Sequence, residues 1–198
     1  DAIIGEESAS TSGISGFTWV IDPIDGTMPF LSGLPHWCVA IAILEGEHTV
    51  AAATFAPVSG TLYNAAVGHG FHCNKFESGA PLMLGITDAM TAIGASHRTP
   101  AAGIAAVIER LLNAGGNYYR SGSGALMLAE LASGRLAGYY EPHMNAWDCL
   151  GGLLMVEEAG GRTAPLSMPR MLADGAPVLA ATQPAFGPLC NVVKPERI

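Results

Sequence analysis

Two aspartates three residues apart, Asp22 and Asp25, are the residues of this chain whose type and spacing point most directly to chemistry. They end an apolar, β-favouring run, residues 17–21, within the segment WVIDPIDGT. The proline between them and the glycine after them are expected to end the strand in a tight turn. Two carboxylates on such a turn can share a hard divalent cation, while Gly26 and Thr27 supply backbone N–H groups and a hydroxyl beside them. The segment predicts a metal-assisted reaction on an anion.

These acids also have an ordinary structural interpretation. An Asp-Gly pair after a strand is a common turn signal, and an aspartate before a proline often caps a turn. The same alternative applies elsewhere: Glu6 and Glu7 can be solvated loop charges, and Asp148, in the first turn of a predicted helix, can interact with the helix dipole. A site exists only if separate elements bring these acids together.

The composition of the 198-residue chain bounds its possible partners. With 49% hydrophobic and 13% charged residues, it predicts a compact fold with one sizeable core. The net charge of −8 argues against nucleic acid or an anionic membrane as a partner and favours a cation cofactor. The cysteines are scattered without a C-x-x-C pair, and the apolar runs are too short or too interrupted for a signal peptide or a membrane span. We therefore predict a reduced, cytoplasmic setting.

The first half of the chain predicts mainly strands. Strands at 3–4 and 17–21 precede β-compatible runs that predict an antiparallel meander, namely residues 37–44, 49–55, 61–67 and 70–73. Residues 30–35, between these groups, are expected to be irregular. A polar stretch with Gly and Pro, residues 74–85, is the predicted internal boundary. It divides the chain into an α+β portion, 1–85, with the acidic motifs and the meander, and an α/β portion, 86–198.

The second half alternates short strands with helices. The predicted strands are 91–95, 117–120, 136–141, 162–164 and 178–182, and the predicted helices are 100–114, 124–134 and 147–159. In the first of these helices, Thr99 is the expected N-cap and Pro100 the first helical residue. The pattern indicates a layered α/β (α+β) architecture. Because strand ends cluster at one edge of such sheets, Glu141 and Asp148 are expected to lie near Asp22.

Three motifs occur together in an order that is specific to one family. They are Gly5-Glu6-Glu7-Ser8, the segment 19–27, and Trp147-Asp148 followed by Glu158-Ala159-Gly160-Gly161, with further matches at Tyr139-Tyr140-Glu141 and Arg120-Ser121-Gly122-Ser123. On these motifs the chain resembles the inositol monophosphatase family, within the Mg²⁺-dependent, lithium-sensitive phosphatase superfamily. The resemblance implies the alternating α and β layers of the inositol monophosphatase and fructose-1,6-bisphosphatase type, with both portions forming one phosphatase unit. Complete members carry a pair of N-terminal helices before the first motif, so we expect this chain to be a fragment of a longer one.

The resemblance also implies the residues of a metal centre. The implied ligands of two or three Mg²⁺ ions are Glu6, Asp22, the Ile24 carbonyl, Asp25 and Asp148, with Asp22 shared between two ions. The implied catalytic residues are Glu6, Asp25 and Thr27. Among them, Glu6 and Thr27 would orient and help to deprotonate the water that attacks a phosphate monoester.

Further positions are implied to contact the substrate. The N–H groups of Gly26 and Thr27 would hold phosphate oxygens. The contacts with the alcohol part of the substrate are implied for Glu141, Gly122, Ser123 and Ser96. No arginine lies near the metal motif in the sequence, and Arg98 and Arg120 are open to interpretation as surface or interface residues.

The implied activity is Mg²⁺-dependent hydrolysis of a small polyol phosphate, with inositol monophosphate as the principal expectation and a homodimer as the expected assembly. Met28-Pro29 stands where many members carry a hydroxyl residue and Asn, and residues 30–35 resemble the histidinol-phosphate phosphatases equally well. Histidinol phosphate, fructose 1,6-bisphosphate and phosphoadenosine phosphate therefore stay open as substrates. The alternative from another class is a non-catalytic, metal-binding regulatory relative.

Overall fold

The β-favouring runs of the first half form one seven-stranded sheet. The computed structural model describes residues 1–7, 10–74, 76–77, 83–96 and 98–193. The strands of this sheet lie in the order of the chain: β1 (Ala2–Gly5), β2 (Phe17–Asp25), β3 (Cys38–Glu45), β4 (His48–Ala56), β5 (Thr61–Ala66), β6 (Phe71–Cys73) and β7 (Phe76–Glu77). Strand β1 is parallel to β2, and every later pair is antiparallel. The predicted meander is confirmed, and a short helix, α1 (Thr27–Leu31), follows β2.

The second half forms a mixed five-stranded sheet with helices between its strands. The strands are β8 (Met90–Ile93), β9 (Asn117–Tyr119), β10 (Gly138–Met144), β11 (Arg162–Thr163) and β12 (Ala176–Ala181), in the spatial order β11-β12-β10-β8-β9. The helices are α2 (Ala101–Asn113), α3 (Gly124–Ala132), α4 (Ala146–Glu158), α5 (Met168–Asp174) and α6 (Gln183–Val193). Strand β8 is parallel to both β9 and β10, whereas β12 is antiparallel to β10 and β11.

The two sheets and the helices form alternating layers. Helices α3 and α4 pack against each other, and α4 contacts strands β2 to β5 of the first sheet as well as β11 and β12 of the second. Helices α2 and α6 pack against each other. Helix α6 also contacts β10 and β12, and α2 contacts β9. The apolar cluster between these elements buries Ile93, Leu111 and Leu189. The predicted layered α/β architecture is confirmed.

Strand β2 continues further than the sequence predicts. It runs to Asp25, and its pairing with β3 shifts register between Asp22 and Asp25, as in a β-bulge. Its pairing with β1 ends at Ile21. Pro23 therefore lies where no ladder hydrogen bond needs its missing N–H, which explains why the proline does not end the strand.

Other boundaries differ by a few residues or lie outside the prediction. Helix α2 begins at Ala101 with Pro100, rather than Thr99, at the N-cap position. Helices α5 and α6 are absent from the sequence prediction. The predicted internal boundary at 74–85 includes β7, the last strand of the first sheet, and precedes β8, the first strand of the second; part of it lies outside the described residues. No helix in the described part of the chain is long and apolar enough to cross a membrane.

Candidate metal centre

Three carboxylates from distant parts of the sequence converge at one edge of the first sheet. Glu6 directly follows β1, Asp22 lies in β2, and Asp148 lies in the first turn of α4. One oxygen from each of the three lies within 4.8 Å of the others. Carboxylate oxygens are the donors that Mg²⁺ prefers, and a cation would relieve the repulsion within the cluster. The donor set therefore fits the predicted magnesium site.

A cleft of about 590 Å³ opens beside these carboxylates. Nine of the predicted site residues line it: Glu6, Asp22, Ile24, Asp25, Gly26, Thr27, Ser96, Gly122 and Asp148. The cleft is large enough for a phosphate group with a small organic part. Glu141 and Ser123, the two remaining predicted residues, lie in different surroundings.

Asp22 is the most deeply buried of the three clustered carboxylates. Its side chain is only 1% exposed, and the Ile24 N–H donates a hydrogen bond to its Oδ1 at 2.8 Å. Burial raises the pKa of Asp22 to about 8, and repulsion from Asp25 adds to the rise. Without a cation, this carboxyl group is held in an environment that disfavours its charge.

Asp25 is anchored by the start of helix α3. Its Oδ2 accepts hydrogen bonds from the Ser123 hydroxyl at 2.5 Å and from the Ala125 N–H at 2.7 Å. Burial raises the pKa of Asp25 to about 7, with a further contribution from Asp148, while the two donors oppose the rise. The bulge in β2 thus turns Asp25 toward α3, and the anchored oxygen fixes the orientation of the carboxylate at the cleft.

Asp148 is held by the residue that precedes helix α4. The backbone N–H and the side-chain Nδ2 of Asn145 both donate to Asp148 Oδ2, each at 3.1 Å. Burial raises the pKa of Asp148, and it also raises the pKa of Glu6, to which the charge of Asp148 contributes. Each carboxylate of the cluster is therefore costly to ionise until a cation neutralises it.

The turn from β2 into α1 brings a hydroxyl to the cleft. Gly26 has φ +91° and occupies the N-cap position of α1. A Cβ on Gly26 would lie 2.8 Å from the His36 carbonyl oxygen, so the turn requires glycine both for its backbone conformation and for space. The Thr27 hydroxyl donates to the Ile24 carbonyl at 3.3 Å, which places a predicted catalytic residue beside a predicted ligand.

Glu141 lies in a smaller cavity that adjoins the carboxylates. This cavity, of about 110 Å³, is also lined by Asp25 and Asp148. The Tyr139 hydroxyl donates to Glu141 Oε2 at 2.6 Å, and burial raises the pKa of Glu141 to about 7. A Cβ on Gly94 would lie only 2.0 Å from the same oxygen, so the glycine makes room for the Glu141 side chain. Glu141 is therefore positioned beside the carboxylate cluster.

The Ser123 side chain links Asp25 to the start of helix α3. The side chain is fully buried, and its hydroxyl donates to Asp25 and accepts from the Leu126 N–H at 3.2 Å as the N-cap of α3. The Ser123 side chain orients Asp25, and a contact between Ser123 and a substrate stays a prediction. Gly122, at φ +97°, and Ser96 do reach the cleft.

Two arginines that sequence reasoning left aside are close to the cleft. Arg120 lines both cavities, and its Nη2 donates to the Ala95 carbonyl at 2.9 Å. Arg98 donates from Nη1 to Asn145 Oδ1 at 2.9 Å, next to Asp148. The sequence signal for Arg120 was its place in the matched segment Arg120-Ser121-Gly122-Ser123, and none was available for the contact of Arg98 with Asn145.

The structure is a layered α/β fold that brings three carboxylates together, and comparisons with known proteins agree with this fold. Residues 1–192 match the profile of the inositol monophosphatase family. The chain is 32% identical over 196 residues to "Nus factor SuhB" of Haemophilus influenzae, covering 98% of this chain and 73% of that protein. It is 36% identical over 195 residues to "Inositol-1-monophosphatase" of Mycobacterium bovis, covering 91% and 66%. This chain belongs to the inositol monophosphatase family.

Solved structures show the same fold. The inositol monophosphatase from Anabaena (Nostoc) sp. PCC 7120 superposes with a TM-score of 0.87 at 27% identity, covering 97% of this chain and 77% of that one. The sequence relatives are longer than this chain, which spans between 58% and 73% of the length of the first few. Their names divide between inositol-1-monophosphatase and Nus factor.

Proposed function

We propose that this chain is the catalytic part of a Mg²⁺-dependent phosphoric monoester hydrolase that acts on a small polyol phosphate, with inositol monophosphate as the principal substrate. The observation that carries the proposal is the convergence of Glu6, Asp22 and Asp148 within 4.8 Å, beside a cleft of about 590 Å³. Membership of the inositol monophosphatase family supports it.

In this proposal some residues of the site bind the cations, and others position the water and the phosphate. The proposed ligands are Glu6, Asp22, the Ile24 carbonyl, Asp25 and Asp148. When bound, the cations neutralise the phosphate and activate a water for in-line attack on phosphorus. Glu6 and the Thr27 hydroxyl would orient that water, and the carboxylate of Glu6 would take up its proton; the hydrogen bond from Thr27 to the Ile24 carbonyl fixes the direction of the hydroxyl. The N–H groups of Gly26 and Thr27, at the start of α1, donate to phosphate oxygens.

The proposed substrate part follows from the groups beyond the carboxylates. Glu141, once ionised, is an acceptor for substrate hydroxyls, and Ser96 supplies a further polar group at the cleft. Hydroxyl-rich substrates such as inositol monophosphate suit this acceptor. Histidinol phosphate, fructose 1,6-bisphosphate and phosphoadenosine phosphate are the alternatives within the same reaction class, and a homodimer remains the expected assembly.

Phosphate release by the full-length protein tests this proposal. We expect release from inositol monophosphate in the presence of Mg²⁺ and its loss after chelation with EDTA. A panel with the three alternative phosphates identifies the preferred substrate. No Mg²⁺-dependent release from any of the four compounds would refute the enzyme and support the non-catalytic regulatory relative.

The substitution Asp22→Asn tests the metal centre within the same assay. It removes a charge from the cluster and leaves a side chain of the same size, so we expect the rate to fall by at least about 100-fold while the circular dichroism spectrum is unchanged. Asp88→Asn is the matched control, because Asp88 accepts hydrogen bonds from the Gly85 N–H and the Thr87 hydroxyl and lines neither cavity. A wild-type rate in Asp22→Asn would remove Asp22 from the mechanism.

A further inference from the structure

Arg98 contacts a residue that holds one of the carboxylates, although it contacts no carboxylate of the cluster itself. Its Nη1 donates to Asn145 Oδ1 at 2.9 Å, and Asn145 Nδ2 donates to Asp148 Oδ2 at 3.1 Å. A chain of hydrogen bonds therefore leads from the exposed guanidinium of Arg98, through one amide, to the carboxylate of Asp148. The reaction proposed above makes no use of this chain.

The orientation of the Asn145 amide decides which of its two polar groups faces Asp148. An asparagine side chain has an accepting oxygen at one side and a donating NH₂ at the other. A guanidinium can only donate, so Arg98 requires the oxygen of Asn145 to face it. The NH₂ group must then face Asp148. With the amide rotated by 180°, two oxygens would face each other across about 3 Å, which is repulsive.

Arg98 is itself held in place by two further contacts. Its backbone N–H donates to the Ser96 Oγ at 3.3 Å, and its Nη1 lies 3.5 Å from His143 Nδ1. Because Arg98 can only donate, His143 Nδ1 accepts, and His143 Nε2 therefore carries the proton and donates to the Asp174 carbonyl at 2.9 Å. The guanidinium thus contacts two residues that precede α4, His143 and Asn145, and His143 is in turn held by the Asp174 carbonyl.

We propose that Arg98 is a positioning residue for the metal centre: it fixes the amide polarity of Asn145 and thereby the orientation of the Asp148 carboxylate toward a bound divalent cation. The proposal rests on the proposed function in one respect, namely that Asp148 is a metal ligand. Partners that hold a ligand from behind contribute roughly 10- to 100-fold to metal affinity in other proteins.

A charge effect and a positioning effect of Arg98 predict opposite results. The charge of Arg98 acts on Glu6 and Asp148, because it opposes the rise in the pKa of both groups. At a pH where Glu6 and Asp148 are fully ionised, so that protons do not compete with the cation, removal of the Arg98 charge alone would strengthen the binding of a cation, since like charges repel. If Arg98 acts by orienting Asn145, its removal weakens cation binding. The sign of the change separates the two.

Calorimetric titration of the full-length protein with Mn²⁺, as a substitute for Mg²⁺, measures this sign directly. We expect Arg98→Met to bind Mn²⁺ roughly 10-fold more weakly than the wild type, and Arg98→Lys, which also can only donate, to recover most of the loss. Arg110→Met is the matched control, because Arg110 Nε donates to the Val192 carbonyl away from the centre. In the phosphatase assay, the Mg²⁺ concentration for half-maximal rate should rise in Arg98→Met while the substrate KM changes little.

A double-mutant cycle with Asn145→Ser tests the route through the amide. Serine is also a good N-cap residue, so α4 keeps its start while the amide is lost. In the Asn145→Ser background, Arg98→Met should have no further effect on Mn²⁺ affinity. Unchanged or tighter Mn²⁺ binding by Arg98→Met, or full additivity in the cycle, overturns the positioning role. If the wild type itself binds no Mn²⁺, the proposed function fails instead. Should Arg98→Met not fold, Arg98→Lys and Arg98→Gln give the same comparison.

Discussion

At the carboxyl group of Asp22, burial and the nearby Asp25 raise the pKa to about 8, compared with 3.8 for an ordinary aspartate. Asp25 shows the same effect, with a pKa of about 7. Between these values and about pH 4, the folded protein without metal binds protons that the unfolded chain has released. Unfolding then releases protons, so the free energy of unfolding must fall as the pH rises through this range. We expect metal-free protein in EDTA to be less stable at pH 8.5 than at pH 5.5, as measured by urea denaturation.

The Asp22→Asn protein is the control for this pH dependence. Asparagine cannot ionise, so the variant should lose the part of the dependence that comes from Asp22 and gain stability relative to the wild type at pH 8.5. An equally steep loss of stability with pH in Asp22→Asn would show that other groups cause it. Excess Mg²⁺ should also reduce the dependence in the wild type, because the cation stabilises the charged carboxylates.

Gly26 lies in the turn between β2 and α1, where both its backbone conformation and the space around it favour glycine. Gly26 and Gly16 have nearly the same backbone conformation, with φ of +91° and +87°. A Cβ on Gly26 would meet the His36 carbonyl oxygen at 2.8 Å, whereas a Cβ on Gly16 would meet nothing within 4 Å. Gly16→Ala should therefore cost only the strain of a left-handed alanine, about 1–2 kcal/mol. Gly26→Ala should cost about 1–3 kcal/mol more, because backbone must move.

The two glycine variants also differ in their expected activity. Gly26→Ala displaces the turn that carries Thr27, so phosphate release should fall well beyond what the lost stability explains, whereas Gly16→Ala should keep the wild-type rate. Urea denaturation and the phosphatase assay measure the two effects separately. Equal losses in both variants would mean that only backbone strain matters at Gly26.

Among the elements, helix α4 carries Asp148 in its first turn and packs closely against its neighbours at two adjacent glycines, Gly151 and Gly152. A Cβ on Gly151 would lie 3.1 Å from the Ile41 carbonyl oxygen in the first sheet, and one on Gly152 would lie 2.5 Å from Leu128 Cβ in α3. These glycines let α4 approach both neighbours closely. The short distances hold Asp148, at the start of the same helix, in register with Asp22.

A pair of helical glycine substitutions tests this close packing. Alanine is favoured over glycine in a helix by about 1 kcal/mol. At exposed Gly187 in α6 a Cβ would meet nothing beyond its chain neighbours within 4 Å, but it would crowd the ring of Pro188, so Gly187→Ala should change the stability by less than about 1 kcal/mol. At Gly152 the contact with Leu128 should outweigh the helical preference for alanine, for a net loss of about 1–3 kcal/mol. Denaturation curves measure both, and stabilisation by Gly152→Ala would contradict the packing argument.

The elements with a regular apolar periodicity are predictable from the sequence. Helices in which a proline interrupts that periodicity, such as α5 and α6, are not predicted. Helix α6 has a helical apolar stripe of Ala185, Leu189 and Val193, but Pro188 lies inside it and hides the pattern. The short helix α5 begins with a proline in its first turn and has little periodicity. Strand β2 ends at Asp25, beyond the predicted end at residue 21, because a proline within a bulge does not interrupt the pairing of the strand.

The site shows a similar division. The acids were predictable because their motifs are local: Asp22 and Asp25 share one turn, and Asp148 begins a helix. The positions of Ser123, Arg98 and Arg120 at the site depend on contacts between segments 25 to 98 residues apart in the chain. Local spacing carries no information about such contacts, so these roles emerge only once the layers are packed.

In the whole molecule, the three clustered carboxylates come from parts of the fold that separate when the chain unfolds. Glu6 and Asp22 belong to the edge of the first sheet, and Asp148 belongs to the helix layer between the sheets. The unfolded chain has no preformed site, because these residues are far apart in sequence. A cation that binds the three carboxylates therefore binds the folded state and stabilises the entire molecule by linkage.

Thermal unfolding with and without Mg²⁺ measures this linkage. At a free Mg²⁺ concentration 100 times the Kd, linkage gives about 2.7 kcal/mol, which corresponds to a rise in Tm of roughly 5–10 °C for a chain of this size. The rise should grow with the logarithm of the Mg²⁺ concentration and should nearly vanish in Asp22→Asn, whereas Asp88→Asn should respond as the wild type does. Because Asp22→Asn removes the repulsion as well as the ligand, its Tm without Mg²⁺ should exceed that of the wild type at pH 8. A Tm that is independent of Mg²⁺ in the wild type would mean that the three carboxylates, although close together, do not form a cation site.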